Sequence, residues 1–320
     1  MKRRTLYIVT CILAVLIFSS CEHKDLCYDH SHLVNVKVVF DWRNAPDAVP
    51  KSMSLYMYPS DGGEVMRFDF TGRDGGTIRV PLGCYHVLCL NSDTETVRYR
   101  NTESRETFEV YTREADLLSG LSRLGILSDG APRADGTENE RVALAPDMIW
   151  SDHVEDIGLE LTDEEQTVTL YPRVSVCTYT VEIRNAENLK YVSGISGTLS
   201  SLAGGLLPGI GADALTDERV SIPFDASVST DKTIVTGGWL TFGHCPSAQN
   251  RHLLTIYAVL ADNSKWYYTY DVTEQVHEAP DQRHVHIILD KLPLPKPIVN
   301  GGGFQPTVDD WQTVNVDIEM

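Results

Sequence analysis

"LVNVKVVFDW", Leu33 to Trp42, sets Val34, Val36 and Val38 against Asn35 and Lys37. Apolar residues at every second position turn one face of an extended chain toward a core and the other toward water, which is a half-buried β-strand. "SMSLYMYP", Ser52 to Pro59, repeats the pattern with Met53, Leu55 and Met57. The same period recurs in "GTIRVPLGCYHVLCLN", "QTVTLYPRVSVCTYTVEIRN", "KTIVTGGWLTFG", "HLLTIYAVLADNSKWYYTYDV", "RHVHIILD" and the final "QTVNVDIEM". Turn signals such as "SDGG", "RDGG", "NAEN" and "ADNS" separate these runs at close spacing, as in a β-sandwich.

Helix is scarce. "READLLSGLSRLGIL", Arg113 to Leu127, carries Leu117, Leu121 and Leu124 at helical spacing, but Gly120 and Gly125 interrupt it, so a short helix or compact loop is expected. Ser128 to Glu140 is polar and rich in Gly, Asp and Glu, and reads as a long exposed loop. An acidic turn in "LELTDEEQTVTLYP" precedes a renewed run of strands. The chain is therefore expected to be all-β, with two antiparallel sandwiches in tandem over residues 28–162 and 163–320.

Outward from the first strand, toward the N-terminus, the composition changes. Lys2, Arg3 and Arg4 precede an apolar run from Leu6 to Phe18, then Ser19, Ser20 and Cys21. A basic segment, a short apolar core and small residues before a cysteine form a bacterial lipoprotein signal peptide, residues 1–20, with acylation expected at Cys21. The alternative is an ordinary secreted protein whose Cys21 pairs or stays free. Acyl chains hold a protein on a bilayer without spanning it, and residues 21–27 then form a lipid-proximal linker.

The formal net charge of −18 becomes −21 once the three leader cations are removed. Nucleic acids and anionic membranes require clustered cations, so neither is an expected partner. With Cys21 assigned to lipid, Cys27, Cys84, Cys89, Cys177 and Cys245 remain beyond the leader. No CxxC occurs to suggest zinc or thiol exchange. Cys84 and Cys89 differ in parity along one strand, which points them to opposite faces and disfavours a bond between them.

No catalytic constellation stands out. "GIGADA", Gly209 to Ala214, fits a relaxed dinucleotide fingerprint, but Pro208 precedes it and no strand–helix alternation surrounds it. His284 and His286 share one strand face without a third ligand nearby, and His30 and His32 lie in the lipid-proximal segment just before the first strand. No metal or cofactor is expected, and carboxylates cluster in turns and beside strands, where they solvate edges. Trp266, Tyr268 and Tyr270 share a face of "KWYYTYDV". That face is either a glycan platform or the core of the second sandwich.

"VNVKVVFDWRNAP", "MSLYMYPSDGG", "GGTIRVPLGCYHVLCLNSDTE", "APDMIWS", "YPRVSVCTYTVEIRNAENLKYVSGISGTLSSLAGG" and "FQPTVDDWQTVNVDIEM" together resemble the fimbrillin-related lipoproteins of Bacteroidales. The likeness is to the minor-fimbria anchor-type proteins and a related uncharacterised family. It implies transthyretin-like sandwiches, outer-membrane attachment, and partners that are fimbrial subunits or other surface proteins, joined by strand addition. Stalk subunits of this group are trimmed after an arginine, for which Arg113, Arg133 and Arg141 are candidates; anchor-type members keep their first strand.

The expected function is thus a non-enzymatic structural or adhesive fimbrial component, an anchor or accessory subunit. A cell-surface glycan-binding lipoprotein is the alternative. The strand-exchange candidates are Val34, Val36 and Val38 in the first strand and Val314, Val316 and Ile318 in the last.

Overall fold

The computed structural model describes residues 33–126, 130–162, 164–211, 213–246, 251–297 and 311–315. The leader, Cys21, Cys27, His30, His32, Val316 and Ile318 lie outside them.

The first unit contains β1 (Leu33–Phe40), β2 (Ser52–Pro59), β3 (Met66–Thr71), β4 (Gly75–Pro81) and β5 (Gly83–Asn91). An excursion follows, holding β6 (Val97–Arg100), β7 (Glu109–Thr112) and β8 (Arg141–Val142). The unit closes with β9 (Trp150–Leu159), β10 (Gln166–Leu170) and the two-residue β11 (Arg173–Val174). Sheet β10-β1-β4 faces sheet β9-β5-β2-β3, with β11 on the outer edge of β9. Between the sheets, Val34, Val36, Val38 and Phe40 meet Met53, Leu55, Met57, Val87, Cys89, Val168 and Leu170 in one core.

The second unit begins with β12 (Cys177–Ala186), β13 (Val192–Ala203), β14 (Gly205–Leu206) and β15 (Arg219–Val228). It continues through β16 (Val235–Thr241), β17 (Leu253–Leu260), β18 (Lys265–Asp271), a one-turn helix α1 (Thr273–His277), β19 (His284–Leu292) and β20 (Trp311–Asn315). Its strands form β19-β12-β16 and β15-β13-β17-β18, joined through β15, whose first half pairs with β13 and whose end pairs with β16.

The two units repeat one topology. When the seven principal strands of each are counted in chain order, both place last–first–fourth in one sheet and sixth–fifth–second–third in the other. Each set of strands encloses a core of its own. The sheets are not wholly antiparallel, however: β10 runs parallel to β1, and β19 parallel to β12. The seventh strand arrives by a crossover from the opposite sheet, the connection that parallel neighbours require.

Three local expectations are corrected. β10, assigned to the second unit by a division at 162/163, pairs with β1 and sends Val168 and Leu170 into the first core. The chain passes to the second sheet system only after Val174. β2 is buried on both faces, because the excursion covers its outer side with Phe108 and Val110 against Tyr56 and Tyr58. Finally, the segment before β8 is not simply exposed: Ala134, Thr137 and Glu140 are buried.

The excursion ties the units together. β6, β7 and β14 form a small sheet of their own, and β8 adds to β15. The leucines of "READLLSGLSRLGIL" form a 3₁₀ turn, Ser119–Leu124, whose Leu121, with Leu117 and Leu118, covers Tyr257 and Val259 on the outer face of β17. Glu140 accepts hydrogen bonds from Ser201 N–H (3.0 Å), Ser201 Oγ (3.1 Å) and Ser221 Oγ (2.8 Å). Ser201 sits at φ +61° within a register shift of β13, so this carboxylate secures an irregular strand.

Candidate functional site

For an all-β body the chemistry of association lies at strand edges, where unpaired N–H and C=O groups can accept another strand. β1 offers no such edge. It is bonded along one side to β4 and along the other to β10, and Val34, Val36 and Val38 point into the core. Its first residue, Leu33, is exposed and is the first described residue after the linker.

β20 differs. It lies beyond the repeated seven-strand set, runs parallel to β18 along one side, and places Val314 opposite Tyr268 in the backbone register. Trp311 is half-buried, its ring edge-on to Tyr257 at 5.3 Å.

The outer edge of β19 is partly closed by a side chain. Gln275 on α1 donates from Nε2 to the Ile288 carbonyl (3.0 Å), and its Oε1 accepts from Ile288 N–H (2.8 Å). A side-chain amide placed this way satisfies the same two groups that a neighbouring strand would.

The aromatic platform is not present. Alternation along β18 turns Tyr268 and Tyr270 inward, both fully buried, with their hydroxyls donating to the carbonyls of Pro293 (3.0 Å) and Lys291 (3.1 Å). Burial raises both phenol pKa values. Trp266 packs on the same core, partly buried. The strand face that glycan binding would need is interior.

His286 Nδ1 lies 2.8 Å from Thr180 Oγ1, and His284 Nδ1 lies 2.8 Å from Asp281 Oδ2. Neighbouring side chains thus occupy both rings. Gly209 of "GIGADA" packs against the backbone: a Cβ there would stand 2.2 Å from the Arg105 carbonyl oxygen. That close approach is a packing reason for the glycine.

Arg113 is exposed, whereas Arg141 is held by Glu218 (2.8 Å) and the Thr112 carbonyl (2.9 Å). Arg133 contacts the Glu138 carbonyl and Ser221 Oγ, both at 3.3 Å. Cys84 is exposed and Cys89 buried, on the opposite faces that parity requires, and burial pushes the Cys89 thiol well up.

Sequence reasoning did not single out a histidine cluster. His244, His252 and His277 come from three separate segments, yet their ring centroids lie 4.9 to 6.1 Å apart. Their spacing along the chain follows no motif, so only the fold brings them together.

This geometry defines a class: a pair of β-sandwich units of one strand order with a further strand, β20, added to the second. No described helix is long and apolar enough to cross a membrane. The chain belongs to the family described as "Domain of unknown function (DUF5119)", whose model matches residues 20–225.

A Bacteroides ovatus protein named "Putative fimbrium anchoring subunit Fim4B" is 24% identical over 330 residues, covering 93% of this chain and 93% of its own length. Among solved structures, a Bacteroides ovatus protein described as an adhesin shares the fold. Its TM-score is 0.60 at 21% identity, over 93% of this chain and 97% of that one. The fimbrial anchor protein Mfa2 of Porphyromonas gingivalis overlaps 80% of this chain and 90% of its own, at 12% identity and a TM-score of 0.48. That score is too low to add to the fold assignment.

Proposed function

We propose that this chain is a fimbrial anchor or accessory subunit, a non-enzymatic lipoprotein held at the outer membrane by acyl chains on Cys21. In this reading its body is two sandwiches that meet near Ser175, and β20 is the strand that engages a partner. The name of the Bacteroides ovatus relative, which matches along nearly its whole length, supports the anchoring role. The observation that carries the assignment of β20 is its place outside the seven-strand topology that both units share.

The energetics agree. Ordering five backbone residues costs about 1–2 kcal/mol each, against about 1 kcal/mol net per ladder hydrogen bond and the partial burial of one indole. A strand held with so little surplus can leave β18 for another edge. β1 cannot, because its removal would empty the first core.

Deleting residues 311–320 tests the proposal. The expected outcome is a folded protein with a nearly unchanged melting temperature that no longer co-purifies with fimbrial subunits from the outer membrane. Undiminished co-purification of the truncated chain would remove β20 from the mechanism. The glycan-binding alternative loses its support with the burial of Tyr268 and Tyr270.

A further inference from the structure

The histidine cluster has the layout of a transition-metal site. His252 Nδ1 lies 3.0 Å from the Ser200 carbonyl oxygen. A carbonyl can only accept, so Nδ1 carries the proton and His252 Nε2 presents its lone pair. That lone pair faces His277 Nε2 at 3.0 Å. A backbone carbonyl bonded to one ring nitrogen, so that the other nitrogen carries the lone pair, is the arrangement that orients metal-binding imidazoles in known sites; in this structure His277 Nε2 occupies that lone pair.

The spacing fits as well. Two imidazole nitrogens on one tetrahedral ion, each about 2.0–2.1 Å from it, stand about 3.3 Å apart, with ring centroids about 5 Å apart. The observed centroid separations are 4.9 Å for His252–His277, 5.3 Å for His244–His277 and 6.1 Å for His244–His252. The first two pairs are at that spacing, and the third is about 1 Å wide of it.

The supports are rigid. The His252 backbone N–H donates to Thr273 Oγ1 (2.9 Å) and its carbonyl accepts from Val272 N–H (2.9 Å), which fixes it to α1. The His277 carbonyl accepts from Gln282 Nε2 (2.9 Å). Access exists too: His277 is exposed, and half-buried His244 lines a cavity of about 240 Å³ with Cys177, Phe242 and Arg283.

In the arrangement described, the donors are not yet gathered on one point, and no three His, Cys, Asp or Glu side chains among the described residues form a ready metal site. Gathering them requires His277 to take the tautomer with its proton on Nδ1, so that Nε2 is free to bind, the nitrogen pair to widen by about 0.3 Å, and the His244 ring to turn toward it. We propose that His252, His277 and His244 bind one divalent ion of the Zn²⁺ class, leaving a coordination position open toward the cavity. Imidazole nitrogens without thiolate or carboxylate suit Zn²⁺, Cu²⁺ and Ni²⁺ rather than Mg²⁺ or Ca²⁺.

The test is calorimetric titration of Zn²⁺ into the purified, EDTA-treated chain, with thermal melting in parallel. One Zn²⁺ per chain is expected, with an EDTA-reversible rise in melting temperature. His277→Gln, an exposed position where the amide still donates to His252, is expected to keep the fold by circular dichroism and weaken binding at least tenfold. His244→Ala is expected to weaken it as well. Absence of Zn²⁺ binding by the unsubstituted chain overturns the proposal. So does binding unchanged in both folded variants, which would assign the ion to other histidines such as His30 and His32.

Discussion

Phe224 gives the second sandwich its sharpest stability test. Its ring stacks on Trp239 at 4.1 Å and 10° between the two sheets. It fits because two glycines face it: a Cβ on Gly237 would lie 2.6 Å from the ring, and one on Gly197, its cross-strand partner, 2.4 Å. Phe224→Ala therefore leaves a slot with glycine at two of its walls, which have no side chains with which to close it. The expected cost is about 4–5 kcal/mol, the upper end for such truncations. Gly237→Ala alone overpacks the same slot, at about 1–3 kcal/mol.

In the Phe224→Ala background the clash is absent, and the nearest atom to the new methyl is Val181 Cγ1 at 3.2 Å. There Gly237→Ala should be neutral, or recover about 0.5–1 kcal/mol through the lost glycine entropy. The double-mutant cycle should thus show coupling of about 1–4 kcal/mol, read from denaturant midpoints followed by tryptophan fluorescence at constant m-value. Additive single effects would refute the account of the glycines as room for Phe224.

Cys21→Ala should move the protein from the membrane fraction to the soluble extract; retention in the membrane would refute the lipid anchor. Glu140→Ala should cost about 2–3 kcal/mol, because it leaves buried Ser201 N–H unpaired, and should accelerate hydrogen exchange at that amide. The hydrogen bond from Arg141 to Glu218 holds this carboxylate below its usual pKa of 4.5. A depressed acid contributes stability that is present above the unfolded pKa and lost as pH falls through the folded one. Melting temperature should therefore drop on acidification below about pH 4.5, less steeply in Glu218→Gln. Equal slopes would refute the pairing.

Much of this fold is legible in the chain. Alternation in "LVNVKVVF" assigns each residue of β1 to a face, and the structure buries Val34, Val36 and Val38 while leaving Asn35 and Lys37 exposed. The same rule separates Cys84 from Cys89. It fails at β2, where amphipathic Tyr56 and Tyr58 are buried because residues about fifty positions later, Phe108 and Val110, pack over them. Alternation describes one strand and its two faces; it contains nothing about a second layer that a distant hairpin will lay on the outer one.

For the same reason Trp266, Tyr268 and Tyr270 could be assigned to a common face but not to the inside. The three histidines had no signal at all, since their meeting depends on where α1 sits relative to His252, just before β17, and His244, just after β16. The sequence by itself determined that this protein is a series of short strands closed into sandwiches, because side-chain period is a local property. Only the tertiary structure decided that the two units share one strand order, that β1 is locked while β20 is appended, and which aromatic and imidazole rings meet. Those outcomes depend on pairing and packing between residues far apart in the chain, whose free energies no local pattern records.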